Sequence, residues 1–494
     1  MMDLMFALSP FFVMGVGALA LMLAEAFSRN KGGLALGTTA AFVASGVFAA
    51  AVWAQGVEPT VAASLAPWVL VDRFALFFQM LLCLGGALAS LLAGGYLPEH
   101  HLDRGEFYSL LLFSTFGAMM LVAAGDLLTL FLGLETMSIG AYAMTAFRRA
   151  SPRSAEAGLK YFLLGAFAAA VMLYGFALLY GVTGSTELGK IGDAIKAGAS
   201  SNPLVIIALA LILVGLAFKI SAVPFHMWTP DAYEGAPTPG TTYMAVVVKS
   251  AAFAMMVRVL MTMFGDPQST SWSSGWPPVL AWVALITMTV ANLIAGRQDS
   301  VKRMLAYSSI AHAGYLLLGV VASVRAGAEA NAAVMFYLLT YTVSTAGAFG
   351  ALILCGSRGA EAVSYEDLAG IGRRHPAAAL PFALFALSLA GIPPTAGFFG
   401  KYFLFKAAMG GGFYVLAIVA FLNSVLGAYY YLRVLVFMYM REPAAGAPIA
   451  KPMRSGYVGT ALIISALLVL ALGVLPGASL DVASAAAATF APAK

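Results

Sequence analysis

Phe218-Lys219-Ile220-Ser221-Ala222-Val223-Pro224-Phe225-His226 interrupts one long apolar run of the chain, and Gly391-Ile392-Pro393-Pro394-Thr395-Ala396-Gly397-Phe398 interrupts another. Proline removes an amide donor and clashes with the preceding turn. A helix entering either stretch must break there and leave backbone groups that need burial in protein or water. Composition fixes the solvent around the two breaks. Of 494 residues, 61% are hydrophobic and 10% charged, with a mean hydropathy of +0.90, whereas soluble globular chains carry roughly 45–50% apolar and about 25% charged residues. A water-soluble enzyme, a nucleic-acid binder and a disordered chain are all excluded. Apolar runs of about 17–27 residues suit helices crossing a hydrocarbon core of ~30 Å, and the alternation of membrane β-strands is absent.

The expected fold is therefore an all-α polytopic membrane protein, a single integral membrane domain over residues 1–494. Span length and Gly, Pro and charge breaks give about fourteen helices, near 5–27, 34–55, 73–95, 107–123, 126–147, 157–181, 203–223, 241–264, 279–295, 303–323, 331–355, 377–409, 413–440 and 456–475, with helices seven and twelve broken. Breaks at matching places in two halves point to two inverted five-helix repeats, about 107–264 and about 279–440, around a polar site near the bilayer midplane. Met5 to Phe27 reads as a retained helix, because a basic n-region and a small-residue cleavage site are lacking.

The formal charge of +5 reports topology rather than nucleic-acid binding, because the basic residues sit in short loops. Loops with Arg29 and Lys31; Arg148, Arg149 and Arg153; Arg297, Lys302 and Arg303; Arg373 and Arg374; and Arg441, Lys451 and Arg454 share one side. About sixteen Lys/Arg there against about five opposite make that side cytoplasmic and put both termini on the periplasmic side of a bacterial inner membrane.

A charge at the centre of a spanning helix costs at least ~2.5–3.5 kcal/mol, so such residues face the interior and generally serve a function. Here they are Glu135 in helix five, Lys219 before the first break, Lys249 in helix eight, His312 in helix ten and Lys401 after the second break. A carboxylate moving toward or away from a buried lysine can make that lysine take or release a proton, so Glu135 and Lys219 read as a coupled pair. His312, with two ring nitrogens, suits a relay between Lys249 and Lys401. A static Glu135–lysine pair and a His312 bonded to a carbonyl are the structural alternative, but three buried lysines without matching carboxylates favour transport. His226, Asp231 and Glu234 flank the first break as either a proton entry or a solvated loop, and Lys406 is either a second relay point or an interfacial anchor. Arg258 and Arg433 lie inside apolar spans within snorkelling reach of the surface. Tyr429-Tyr430-Tyr431 reads as an interfacial belt or as helix packing. Glu99-His100-His101 lacks metal-ligand spacing, and Cys83 and Cys355 lie far apart. No cofactor or metal site is expected in this chain.

Three runs carry a resemblance. Lys219 to Pro239, with Pro224-Phe225-His226-Met227-Trp228-Thr229-Pro230-Asp231-Ala232-Tyr233-Glu234-Gly235-Ala236-Pro237-Thr238-Pro239, is similar to the signature of the antiporter-like membrane subunits of respiratory complex I. So are Asp299 to Tyr315, with Lys302-Arg303-Met304-Leu305-Ala306-Tyr307-Ser308-Ser309-Ile310-Ala311-His312, and Leu389 to Lys401. Within that family the chain resembles the N-type subunit. M-type subunits carry glutamate where Lys401 stands, and L-type subunits are longer, with a lateral helix. The resemblance implies fourteen helices in inverted repeats and one proton channel built from Glu135, Lys219, Lys249 and Lys401, with Lys249 central and Lys401 at the outlet. It also implies coupling to quinone reduction in neighbouring subunits, which hold NADH, FMN, iron–sulfur clusters and quinone. Its expected partners are an M-type subunit, small membrane subunits and lipids, with quinone met only indirectly. A cation/proton antiporter subunit, a subunit of a membrane-bound hydrogenase-type complex and a purely structural subunit are the competing readings.

Overall fold

The structure, a computed structural model, describes residues 2–27, 32–356, 361–443 and 452–490. Arg29, Lys31 and Lys451, which enter the charge asymmetry, lie outside the described residues. Those described are helical throughout apart from connecting turns and two isolated backbone bridges. Twelve of their helices are long and apolar enough to cross a membrane: α1 (Ser9–Phe27), α2 (Gly33–Gln55), α3 (Arg73–Glu99), α4 (Glu106–Ala123), α5 (Leu127–Thr145), α6 (Pro152–Thr183), α8 (Thr238–Met263), α9 (Trp276–Ala295), α10 (Val301–Ala326), α11 (Ala328–Cys355), α13 (Tyr414–Met440) and α14 (Gly456–Val474). Two further apolar helices are shorter, α7 (Pro203–Lys219) and α12 (Pro376–Ala390). They stop at the two breaks and are followed by separate helices, Trp228–Gly235 and Ala396–Gly410. The seventh span therefore ends at Lys219 rather than at residue 223, because the chain leaves helical geometry before the proline.

The two breaks share a local build. Ser221 (φ 63°) and Gly391 (φ 86°) each take the left-handed conformation that closes a helix C-terminus. Ala222 N–H donates to the Ala217 carbonyl at 2.8 Å, and Ile392 N–H to the Leu387 carbonyl at 3.0 Å, the same five-residue reach in both. A second feature also recurs. Asp126, just before α5, forms an antiparallel backbone bridge with Glu187, which follows α6; Ser300, just before α10, bridges to Ser364, which follows α11. Asp126 and Ser300 are also the N-caps, accepting from Thr129 N–H at 2.7 Å and Arg303 N–H at 3.2 Å.

α3, α8, α10 and α11 are buried along almost their whole length and form the centre of the bundle, whereas α1, α2, α6, α9, α13 and α14 keep an outward apolar face. Close approach is achieved with glycine. A Cβ on Gly133 of α5 would lie 2.6 Å from the Leu121 amide nitrogen of α4, so only hydrogen fits between these backbones. The C-terminal helix Gly477–Ala487, rich in alanine and serine, was not foreseen; it packs on α3 and α11.

Candidate functional site

Of the charged residues singled out above, Lys249 and His312 lie on the central helices α8 and α10, Glu135 lies on α5, and Lys219 and Lys401 flank the two breaks. On α5, Glu135, Ser138 and Tyr142 follow one another at spacings of three and four and share a face. Lys219, the last residue of α7, reaches that face and donates to Ser138 Oγ at 2.7 Å and Tyr142 OH at 3.3 Å. Glu135 makes no ion pair with Lys219 within 4.0 Å, and its Oε1 is buried without a hydrogen-bond partner. The expected pair thus shares the Ser138–Tyr142 face but is not in contact. Leu128, Leu132 and Ile139, on the same side of α5 as Glu135, point out of the chain.

Lys249 follows a π-helical turn, Met244–Val248, a distortion frequent at functional sites. Its amine donates to the Ser309 carbonyl at 2.6 Å and to Ser309 Oγ, which also accepts from Tyr341 OH at 2.8 Å. His312 lies three residues beyond Ser309 on α10. Its Nδ1 is 2.6 Å from Tyr337 OH and its Nε2 3.1 Å from Tyr431 OH, which in turn contacts Ser308 Oγ. Lys401 donates to Ser424 Oγ at 2.8 Å and, at 2.9 Å, to the Ala390 carbonyl exposed by the second break. A cavity of about 10 Å³ bordered by His312, Tyr337, Tyr341, Ser388 and Lys401 separates histidine and lysine, room for about one water. The Lys249–Ser309–Tyr341 group and the His312 group thus lie side by side between Lys249 and Lys401, the His312 and Tyr341 rings 5.1 Å apart, with no hydrogen bond joining them among the described residues. Among the described residues no hydrogen bond leads from the Ser138–Tyr142 group to Lys249; the rings of Tyr161 and Trp228, stacked at 4.1 Å, occupy ground beside Tyr142 instead.

All three lysines are 6% exposed or less. Among the described residues none has a carboxylate within 4.0 Å. A fourth buried lysine does. Lys302, expected in a loop, occupies the first turn of α10, is fully buried, and pairs with Glu361 at 3.2 Å while donating to the Ala236 carbonyl at 2.7 Å. Glu361 also takes Arg148 at 3.2 Å, Thr238 Oγ1 at 2.7 Å and the Tyr96 hydroxyl. Burial alone would raise the Glu361 carboxyl, but the Lys302 and Arg148 cations and the two hydroxyls outweigh it and hold it down to about 2.

The flanking residues divide. Arg303 donates to Asp231 at 2.8 Å and Glu234 at 3.1 Å, and Lys160 reaches Asp231 at 3.0 Å. With Arg153 and Glu156 they border a polar pocket of about 240 Å³. His226 stays outside this cluster, its Nδ1 buried without a partner. Lys406 is mostly exposed, pairs with Glu329 at 3.0 Å, and borders with Lys401 a crevice of about 450 Å³. Arg258 does not snorkel: it is buried and grips Asp72 with both terminal nitrogens, at 2.8 and 2.9 Å. Arg433 donates to the Gly296 carbonyl at 3.0 Å. In the tyrosine run only Tyr429 faces outward; Tyr430 and Tyr431 are buried in hydrogen bonds, to Asn292 and to the His312 group. Ser138, Ser309, Tyr337, Tyr341 and Ser424 were not foreseen. Ser138 and Tyr142 could have been found by their helical spacing from Glu135, but nothing local marks the others.

Residues 124–427 match the family model described as NADH:quinone oxidoreductase/Mrp antiporter, TM. NADH-quinone oxidoreductase subunit N 1 of Sorangium cellulosum is 67% identical over 493 residues, covering 97% of either chain. The chain belongs to the NADH-quinone oxidoreductase subunit N family. The Myxococcus xanthus subunit N is 42% identical, with 95% of each chain covered. A chain of respiratory complex I from Thermus thermophilus superposes with a TM-score of 0.79 at 34% identity, covering 96% of this chain and 98% of that one. A chain of the Mrp complex from Dietzia sp. DQ12-45-1b, 23% identical over 99% of this chain and 98% of that one, shares the fold with a TM-score of 0.86. The protein is thus a multi-pass antiporter-like membrane subunit of an oxidoreductase, as the sequence motifs implied.

Proposed function

We propose that this chain carries one proton-translocation channel, coupled to quinone reduction performed by neighbouring subunits. The observation that carries this reading is the set of three buried lysines held only by neutral hydroxyls and carbonyls. An ammonium held by neutral groups has no fixed anion to separate from when it gives up its proton. Lys219 takes the inner end of the entry half, Lys249 is the central carrier, and His312 with Tyr337, Tyr431 and one water passes the proton to Lys401, the exit carrier. Asp231, Glu234 and their pocket serve the cytoplasmic entry; His226, outside that cluster, is not needed for it. Glu135 tunes Lys219 through a rearrangement about Ser138, and the outward apolar residues around it suit contact with a neighbouring subunit.

The recurring break geometry and the recurring cap-and-bridge support a fourteen-helix architecture of two inverted repeats, 107–264 and 279–440. An odd number of helices per repeat turns the second over, so that each break serves one side of the membrane. The partners in this reading are an M-type subunit and small membrane subunits, in a bacterial inner membrane with both termini periplasmic; NADH, FMN, iron–sulfur clusters and quinone belong to other subunits. The test is proton uptake and NADH-driven quinone reduction in membrane vesicles carrying Lys249→Ala, compared with wild type at equal amounts of assembled complex. Loss of both activities is expected; normal coupled turnover would return the chain to a structural role.

A further inference from the structure

At the end of the bundle where α10 finishes and α9 and α13 begin, a groove of about 440 Å³ opens outward, bordered by Trp272, Trp282, Leu285, Arg325, Phe413 and Tyr414. Three helix ends meet here, so the groove sits at the level where a spanning bundle leaves the hydrocarbon. Tryptophan and tyrosine concentrate at that level. Trp282 is 65% exposed and turns its ring outward at that level. Beyond it the outward faces of α9 and α13 continue with Ile286, Ile418 and Leu422, all apolar. Arg325 stands at the rim, its guanidinium 5.1 Å from the Phe413 ring centroid and 3.5 Å from the Gly411 carbonyl. Among the described residues no carboxylate lies within 4.0 Å of it, and Glu329, one turn on, is engaged by Lys406.

We propose that this groove binds an anionic phospholipid, the phosphate on Arg325 and the acyl chains along the apolar faces of α9 and α13. The planar guanidinium fork matches a phosphate's oxygens. The apolar walls exceed what free phosphate needs, and no acidic side chain borders the groove to hold the ammonium of a zwitterionic headgroup. The inference is independent of the proton path.

The assembled complex in detergent, stripped of lipid, is labelled with photoactivatable phosphatidylglycerol or phosphatidylcholine, and adducts are mapped to peptides. Phosphatidylglycerol should label residues 272–285 and 411–416 in preference to phosphatidylcholine. Arg325→Gln should cut that labelling about tenfold, as expected for loss of a charge-assisted contact, while adducts elsewhere on the chain stay unchanged and millimolar inorganic phosphate has no effect. Equal labelling by the two lipids, displacement by inorganic phosphate, an unchanged yield in Arg325→Gln, or capture of a neighbouring subunit's peptide in the groove would each overturn the assignment.

Discussion

Two kinds of buried lysine occupy this bundle. Lys302 is locked: a carboxylate, a backbone carbonyl and a neighbouring guanidinium–carboxylate contact fix its charge at the junction of α10, the Ala236 turn and the segment after α11. Lys219, Lys249 and Lys401 touch only neutral oxygens. Burial is nearly the same in all four, so burial alone does not mark a proton carrier. The difference lies in the counter-charge, a carboxylate beside Lys302 and, among the described residues, none within 4.0 Å of the other three, and the proposed proton path rests on that difference.

The largest effect that sharpens this contrast is expected from Lys219→Ala and Lys401→Ala. Each should leave the complex assembled but lower proton uptake per complex about a hundredfold or more, the scale of losing a proton-transfer group; uptake above one tenth of wild type would break the contrast. Glu361→Gln comes next and acts on amount instead. Removing one partner of a buried ion pair costs about 3–5 kcal/mol, so thermal unfolding of the detergent-solubilised protein should fall by several degrees, with turnover per surviving complex unchanged. The pH dependence refines this. The folded Glu361 carboxyl is held at about 2, below its ordinary 4.5, so its contribution is fully present above pH 4.5 and disappears as pH falls toward 2. The stability gap between wild type and Glu361→Gln should be flat from neutral pH to about 4.5 and close below it; a gap that narrows near neutrality would show that the pair is weaker than its geometry. The smallest effect belongs to Lys406→Gln. Its pair with Glu329 is exposed, and exposed pairs contribute about 0–1 kcal/mol, so pumping and stability should both stay near wild type.

This contrast was half visible in the sequence. Lys219, Lys249 and Lys401 stand in or beside long apolar runs, where a charge announces itself, and Pro224 and the Pro393-Pro394 pair disclose the breaks because the missing amide is a property of the residue alone. Lys302 gave no such signal. It sits beside Arg303 at the edge of a span, and its partner Glu361 lies 59 residues further on, so both looked like loop charges until tertiary structure closed over them. The same holds for Tyr431, one of three consecutive tyrosines whose neighbours point elsewhere, and for Ser309 and Ser424, which are common residues defined only by what reaches them. The sequence reads Glu135 and Lys219 as a coupled pair but does not disclose Ser138, the hydroxyl one turn further along α5 to which Lys219 donates. The helix Gly477–Ala487 escaped notice because alanine and serine give it no long apolar run, although it packs against the core.

The most direct test places the two kinds of lysine side by side: NADH-driven quinone reduction and proton uptake, both normalised to assembled complex, in vesicles carrying Lys249→Ala or Lys302→Met. The account predicts normal amounts of an inactive complex for Lys249→Ala, and fewer complexes, each turning over within about twofold of wild type, for Lys302→Met. Full coupled turnover in Lys249→Ala, or an abundant but inactive complex in Lys302→Met, would contradict it.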